Sequence, residues 1–309
     1  MIWAYLIHLG YNMWDDRGDW HRPVEGEEIP FPPRTYLRCE EDIFDLIVEK
    51  IKDAGMNMLV IDLGEGIKYK SHPEISVKGS WSVKKMKKKI EKIKKMGIEP
   101  IPKLNFSATH DNWLGKYSRC VSTDIYYKVC KELISEVAEI FDRPRFFHLG
   151  MDEETCEHQK NYLYICVRQY ELWWNDFYFL LNEVEKKNMK GWIWSDYFWR
   201  NRDDFIRNMP KTVIQSNWYY GNFEKEDICI RTYIELDKNG FYQIPTGSND
   251  ICRENFKKTV EFCLKNIERE RILGFLQTVW RPTIKHFYER HLEAINVVKE
   301  TIEYFKNIT

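Results

Sequence analysis

The sequence predicts an α/β chain folded as a (β/α)8 barrel, a TIM barrel, with residues 1–309 as a single domain. Three observations predict it. Eight short apolar segments recur along the chain, each followed by a helical pattern. The segments are apolar without strict alternation, as strands of a parallel sheet covered on both faces are. No G-x-G-x-x-G or G-x-x-x-x-G-K-[ST] interrupts a strand-to-helix turn, so an open nucleotide-binding sheet is the weaker alternative. A chain of 309 residues could hold one large barrel or two ordinary domains, and the repeat count decides between them.

Residues 2–9 read as the first strand, and a long polar and aromatic loop follows to about residue 39. That loop carries Trp14, Asp15, Asp16, Arg17, Trp20 and His21; loops so long are functional or disordered, and its tryptophans argue against disorder. Residues 41–54 have helical spacing and stop at Gly55, and residues 58–63 form a buried strand. The unit then repeats. Residues 81–96 make a helix ending at Gly97, and residues 98–106 a strand with Lys103 and Asn105 near its end. The lysines of that helix are interspersed with Ile90, Ile93 and Met96, which marks a solvated helix face.

Residues 123–141 form the next helix, and the segment RFFHLGMDEE, residues 145–154, is the fourth strand running into three acids. A period of two puts Phe147 and Leu149 on one face and Phe146, His148 and Gly150 on the other. Asp152, Glu153 and Glu154 then fall at the strand's carboxyl end, where parallel α/β folds place their chemistry. Acids are also common in the first turn of a helix, so capping and catalysis both remain open on spacing alone. A helix over residues 167–187 leads to a strand at 191–198 closing on Asp196. Segments 213–220, 240–244 and 272–279 complete the eight, the last followed by a helix over residues 285–305.

The bulk numbers exclude several classes. With 47 basic and 48 acidic residues the formal net charge is −1, so no nucleic-acid footprint is visible and a small neutral partner is favoured. Twelve tryptophans are enough to expect a stacking pocket for planar or sugar ligands. The eight cysteines are dispersed without a C-x-x-C pair and read as reduced thiols. The first residues lack a basic n-region and a cleavage site, and no apolar run approaches the roughly 20 residues that span a bilayer. The expectation is a cytoplasmic protein with no membrane partner.

In such a barrel the strand ends converge. They bring His8, Asn12, Asp62, Glu65, Asn105, His110, Asp152, Glu153, Trp194, Asp196, Trp218, Tyr242, Trp280 and Arg281 to one mouth. Carboxylates and aromatics dominate, which suits carbohydrate: rings stack on the apolar face of a sugar while acids and amides bond its hydroxyls. Glycosidic cleavage needs an acid for the leaving oxygen and a group that stabilises the oxocarbenium-like transition state. Zinc hydrolysis is the rival, but no H-x-H or H-E-x-x-H pattern supports it, and no metal or other cofactor is expected.

The stretch from His148 to Glu153 resembles the H-x-G-x-D-E motif of glycoside hydrolase family 20, the β-N-acetylhexosaminidases, at the end of the fourth strand. MGIEPIPKLNFSATH with His110 resembles the family's third strand and its following histidine, and GWIWSD its fifth. The resemblance implies substrate-assisted, retaining, exo-acting cleavage of terminal 2-acetamido sugars, with a small soluble glycoside or oligosaccharide as partner. Glu153 would be the general acid and base, and Asp152 would hold the acetamido N–H. Tyr242 would hold the acetamido oxygen, and Trp194, Trp218 and Trp280 would box in the sugar. His110, His148 and Asp196 complete the expected substrate-binding set. Two like charges so close are expected to push one pKa upward, as a general acid requires.

The sequence also departs from the family. No arginine ends the first strand, Trp280 is followed by Arg281 and Pro282 rather than closely by a glutamate, and no counterpart of the small domain ahead of the barrel is visible. Those side chains read the distal hydroxyls, so the resemblance leaves the sugar open. A catalytically silent sugar-binding barrel, or a glycosidase with Asp196 or Glu65 as protein nucleophile, is the alternative.

Overall fold

The computed structural model describes residues 1–16, 32–223 and 227–306; Arg17, Trp20 and His21 of the first loop lie outside the described residues. Eight parallel strands form the frame: β1 (Ile2–His8), β2 (Met58–Asp62), β3 (Glu99–Lys103), β4 (Phe146–His148), β5 (Lys190–Trp194), β6 (Ile214–Ser216), β7 (Thr246–Ser248) and β8 (Gly274–Thr278). They pair in the order β6-β5-β4-β3-β2-β1-β8-β7. Parallel bridges between Gln215 and Gln243 and between Trp218 and Thr246 bring the ends of this ribbon together, so the expected (β/α)8 barrel is the observed fold.

Helices α1 (Glu41–Asp53), α2 (Val83–Lys95), α3 (Asp124–Ile140), α4 (Glu171–Glu185), α5 (Tyr197–Arg200), α6 (Arg202–Asn208), α7 (Ile228–Lys238), α8 (Asn255–Asn266) and α9 (Tyr288–Lys306) cover the outside. In α2 the spacing of Met86, Ile90 and Ile93 makes the buried stripe, and the lysines take the solvated face. Ser82 caps this helix by accepting from the Lys85 N–H at 3.1 Å. The helix therefore starts two residues later than expected, and Trp81 and Ser82 pair instead with Ile67 and Lys68 in a short parallel ribbon.

Alternation along the strands separates two cores. Ala4, Leu6, Met58, Val60, Ile101, Phe146, Trp192, Trp194, Ile214 and Leu276 fill the barrel. Tyr5, Ile7, Leu59, Ile61, Phe147 and Ile193 pack outward among the helices. Above the inner apolar layers lies a buried ion pair between Lys103 and Asp62, with His8 Nδ1 3.4 Å from the same carboxylate. Burial works against the Asp62 charge, but the Lys103 ammonium and His8 outweigh it and hold the carboxyl below its usual range.

The seventh strand differs from expectation. Residues 240–244 have the apolar composition of a strand, yet Phe241 packs into the outer core and Ile244 into the barrel, and regular pairing begins only at Thr246, after Pro245. The true strand is made of small residues because α8 packs against it; a Cβ on Gly247 would lie 2.8 Å from Phe256 Cα. Among the described residues no helix is long and apolar enough to cross a membrane.

Candidate active site

The acid pair sits on a turn that few backbones adopt. Gly150, Met151 and Glu153 have φ of 72°, 76° and 56°, the left-handed region that side chains ordinarily avoid. At Gly150 any side chain would overlap the Asn105 amide. The turn is over-determined by hydrogen bonds: the Trp194 N–H donates to Gly150 O at 3.0 Å, the Met151 N–H to Asn105 Oδ1 at 3.2 Å, Thr109 Oγ1 to Glu153 O at 2.7 Å and the Glu153 N–H to Asp196 Oδ2 at 2.7 Å. Strands β3, β4 and β5 thus jointly aim two consecutive side chains.

Their surroundings differ. Asp152 accepts from Asn105 Nδ2 at 2.7 Å and lies 3.5 Å from His110 Nε2. Glu153 lies between two histidines, with His110 Nε2 3.1 Å from Oε2 and His158 Nε2 3.3 Å from Oε1. His110 Nδ1 donates to the Met13 carbonyl at 3.2 Å, which fixes the ring. Burial disfavours a charge on His110, yet Asp152 and Glu153 together raise its pKa to about 9. Burial likewise disfavours the Glu153 charge, but the two histidines prevail and hold its carboxyl well below the usual range. Burial raises Asp152, with Glu153 adding to the effect and His110 opposing it. Burial and then Asp152 push Asp196 up to about 7.

The expected upward shift therefore falls on Asp152, where burial leads and the Glu153 charge adds, and not on Glu153, the acid for which it was expected. The reason is the two histidines, whose attraction exceeds the repulsion of its neighbour. The third acid also departs from the surface role its position suggests. Glu154 is buried in an ion pair, with Oε2 2.6 Å from Arg168 Nη2, and Arg168 continues to Asp176 at 2.9 Å.

A cavity of about 300 Å3 opens over the pair. Trp194, Trp218 and Trp280 line it as expected, and Trp14, Tyr220, Asp250, Ile251 and Arg281 join them. Trp280 stands edge-on to Trp14 at 5.4 Å and to Trp194 at 6.0 Å. Its Nε1 donates to the Tyr220 hydroxyl at 3.1 Å. Arg281 Nη1 lies 3.4 Å from Asp250 Oδ1 on the same wall.

Four expected binding residues stand elsewhere. His110 and Asp196 hold the acid pair from behind. His148 is fully buried and contacts Trp194 at 4.4 Å; burial drives its pKa far down, so it is neutral and structural rather than pocket-lining. Tyr242 is a correction: it lies at the amino ends of the strands, beside Ile2, Phe146 and Leu273, and under the Arg271 guanidinium. Misplacing the seventh strand misplaced it. Glu65 is spent on the first loop, accepting from the Tyr11 N–H at 2.8 Å and the Asn12 N–H at 3.2 Å, and it is not among the residues lining the cavity over Asp152 and Glu153.

The sequence reading missed Tyr220, Asp250 and His158 as site residues. Asp250 comes two residues after β7 and was legible once that strand was placed; nothing local marks His158. Among the described residues, the trio of His110, Asp152 and Glu153 has ligand atoms within 4.8 Å of one another, close enough to converge on a cation. Those atoms already bond to each other, and the histidine sits between the carboxylates as an ion-pair partner.

No family model and no curated protein matches the sequence. Solved structures match in fold. A chitobiase from Flavobacterium johnsoniae is 14% identical with a TM-score of 0.60, covering 85% of this chain and 50% of its own. A β-N-acetylhexosaminidase from Bacteroides fragilis is 14% identical with a TM-score of 0.64, covering 99% and 68%. A family 20 exo-β-N-acetylglucosaminidase from Vibrio harveyi, solved with N-acetylglucosamine, is 11% identical with a TM-score of 0.59, covering 87% and 55%. The chain spans roughly half to two thirds of the length of these structures. The barrel thus has the fold of these glycoside hydrolase family 20 hexosaminidases, at 11–14% sequence identity.

Proposed function

We propose that the chain is a retaining, exo-acting β-N-acetylhexosaminidase-like glycoside hydrolase that cleaves terminal 2-acetamido sugars from small glycosides. One observation carries the reading: two adjacent carboxylates, Asp152 and Glu153, held at the floor of a small pocket walled by tryptophans. At about 300 Å3 the cavity is at the lower end of small-molecule sites, which suits one sugar ring and exo action.

In this reading the substrate's acetamido oxygen attacks the anomeric carbon, and the protein supplies no nucleophile. Asp152 accepts from the acetamido N–H and stabilises the positive charge that develops next to it. Tyr220, not Tyr242, offers a phenol to the acetamido oxygen, since it lines the pocket beside Trp218 and Trp280. The tryptophans enclose the ring and exclude water, which strengthens each of these contacts. Glu153 protonates the leaving oxygen and later takes a proton from the attacking water. The eight cysteines are all free thiols, which supports a reducing, cytoplasmic setting.

Nitrophenyl β-N-acetylglucosaminide or galactosaminide is the substrate that tests this. The wild type should hydrolyse one of them with retention, and Glu153→Gln should lose on the order of 10²-fold or more in kcat. Cleavage of plain glucosides with acetamido sugars untouched would defeat the reading; sugar binding without turnover would favour a silent binding barrel.

A further inference from the structure

We infer that His158 is a positioning residue that stores the proton Glu153 delivers to the glycosidic oxygen, an inference that rests on the glycosidase reading above. The geometry starts it. Glu153 is reached on Oε2 by His110 and on Oε1 by His158, at 3.1 and 3.3 Å, so each carboxylate oxygen has its own imidazole.

The two imidazoles are not equivalent. The His110 side chain is 2% exposed, faces both Asp152 and Glu153, and anchors its far nitrogen on the Met13 carbonyl. It keeps its proton well above neutrality. The His158 side chain is 34% exposed and touches one carboxylate, while its Nδ1 lies 2.8 Å from Thr155 Oγ1. Among the described residues, Glu153, His110, Asp196 and Glu157 bear on it; the Glu153 contact leads and raises its pKa. Glu157 and Lys160 of the same loop pair with each other at 2.6 Å.

With an imidazole on each of its oxygens, Glu153 rests as a carboxylate and has no proton of its own to give. The proton must come from an imidazole. His158 is the one held by a single carboxylate and open to water, so it yields more readily.

The step balances. The His158 Nε2–H bond breaks and its proton passes to Glu153 Oε1, and the same proton then moves from that carboxyl to the leaving oxygen, which returns Glu153 to a carboxylate. The glycosidic C–O bond breaks with its electron pair on that oxygen, and the acetamido oxygen closes onto the anomeric carbon. In the second half a water adds to that carbon as the acetamido bond opens. The water's proton goes to Glu153 and back to His158 Nε2, restoring the resting state.

The test compares His158→Gln with wild type on two substrates: an alkyl β-N-acetylglucosaminide, whose leaving group needs a proton, and the 2,4-dinitrophenyl glycoside, whose leaving group does not. At about pH 7.5 the variant should slow the alkyl substrate at least about 10-fold and the dinitrophenyl substrate less than about 3-fold. The alkaline limb of its kcat/KM profile should move to lower pH, because a carboxylic acid alone loses its proton sooner than the stored one is lost. Equal slowing of both substrates with an unmoved limb is the signature of a merely structural histidine and overturns the inference. A wild type that hydrolyses neither substrate instead brings down the glycosidase reading itself, and an active wild type with an indistinguishable variant brings down this inference alone.

Discussion

The Glu153 N–H donates to Asp196 Oδ2 at 2.7 Å, so one carboxylate fixes the backbone from which another hangs. Glu153 is left-handed at φ 56°, and that conformation persists because β5 ends where its Asp196 can meet this amide.

Asp196 predicts a pH-dependent stability. Its folded pKa is pushed up to about 7 by burial first and Asp152 second. A raised folded value means the native chain binds more protons than the unfolded one. The contribution is full below roughly pH 4 and is lost as pH rises through about 7. Asp196→Asn keeps an acceptor for the Glu153 amide and removes the charge. Relative to wild type, the variant should gain on the order of 1–3 kcal/mol between about pH 5 and pH 8. Denaturant unfolding at both pH values reads this, and a pH-independent offset between the two proteins contradicts it.

Tyr220 and Tyr242 make a discriminating pair. Tyr220 lines the cavity, whereas Tyr242 lies at the opposite end of the barrel, 40% exposed. Tyr220→Phe should lower kcat/KM on acetamido glycosides by about 10- to 100-fold, the scale for losing one oxyanion donor being somewhat larger. Tyr242→Phe should stay within about twofold. Steady-state kinetics on both variants decides, and the reverse ranking would return the role to Tyr242.

The buried Lys103–Asp62 pair predicts a stability cost rather than a catalytic one. Lys103→Met leaves the Asp62 carboxylate with His8 alone, at 3.4 Å. Breaking a buried pair on one side typically costs about 3–5 kcal/mol. Adding Asp62→Leu to Lys103→Met should recover a large part of that loss. Melting curves of the single and double variants test it; an unchanged single variant means the pair contributes nothing.

The parts that were legible in the sequence are those encoded locally. The alternation in FFHLG puts Phe146 and His148 inside and Phe147 outside, as the two cores show, and the acids follow because a short strand ends there. The seventh strand was misread because residues 240–244 are apolar while the true strand, Thr246–Ser248, is small for a tertiary reason: α8 packs close on Gly247. The charge states were not legible at all. They depend on His110 after β3 and His158 in an irregular loop, neither of which any periodicity ties to Glu153. The buried role of Glu154 was not legible because its partner, Arg168, comes fourteen residues later in an irregular stretch.

Arg168 has a consequence for how a ligand meets the site. Its guanidinium reaches Glu154, Asp176 and the Phe106 carbonyl at 2.6, 2.9 and 2.9 Å, stitching the segment after the acid pair to α4 and to the chain beyond β3. The conformational entropy of that long connection is lost when the chain folds, not when the ligand arrives. The segment from Glu154 to Arg168 is thus part of the framework itself rather than a cover that a ligand has to order.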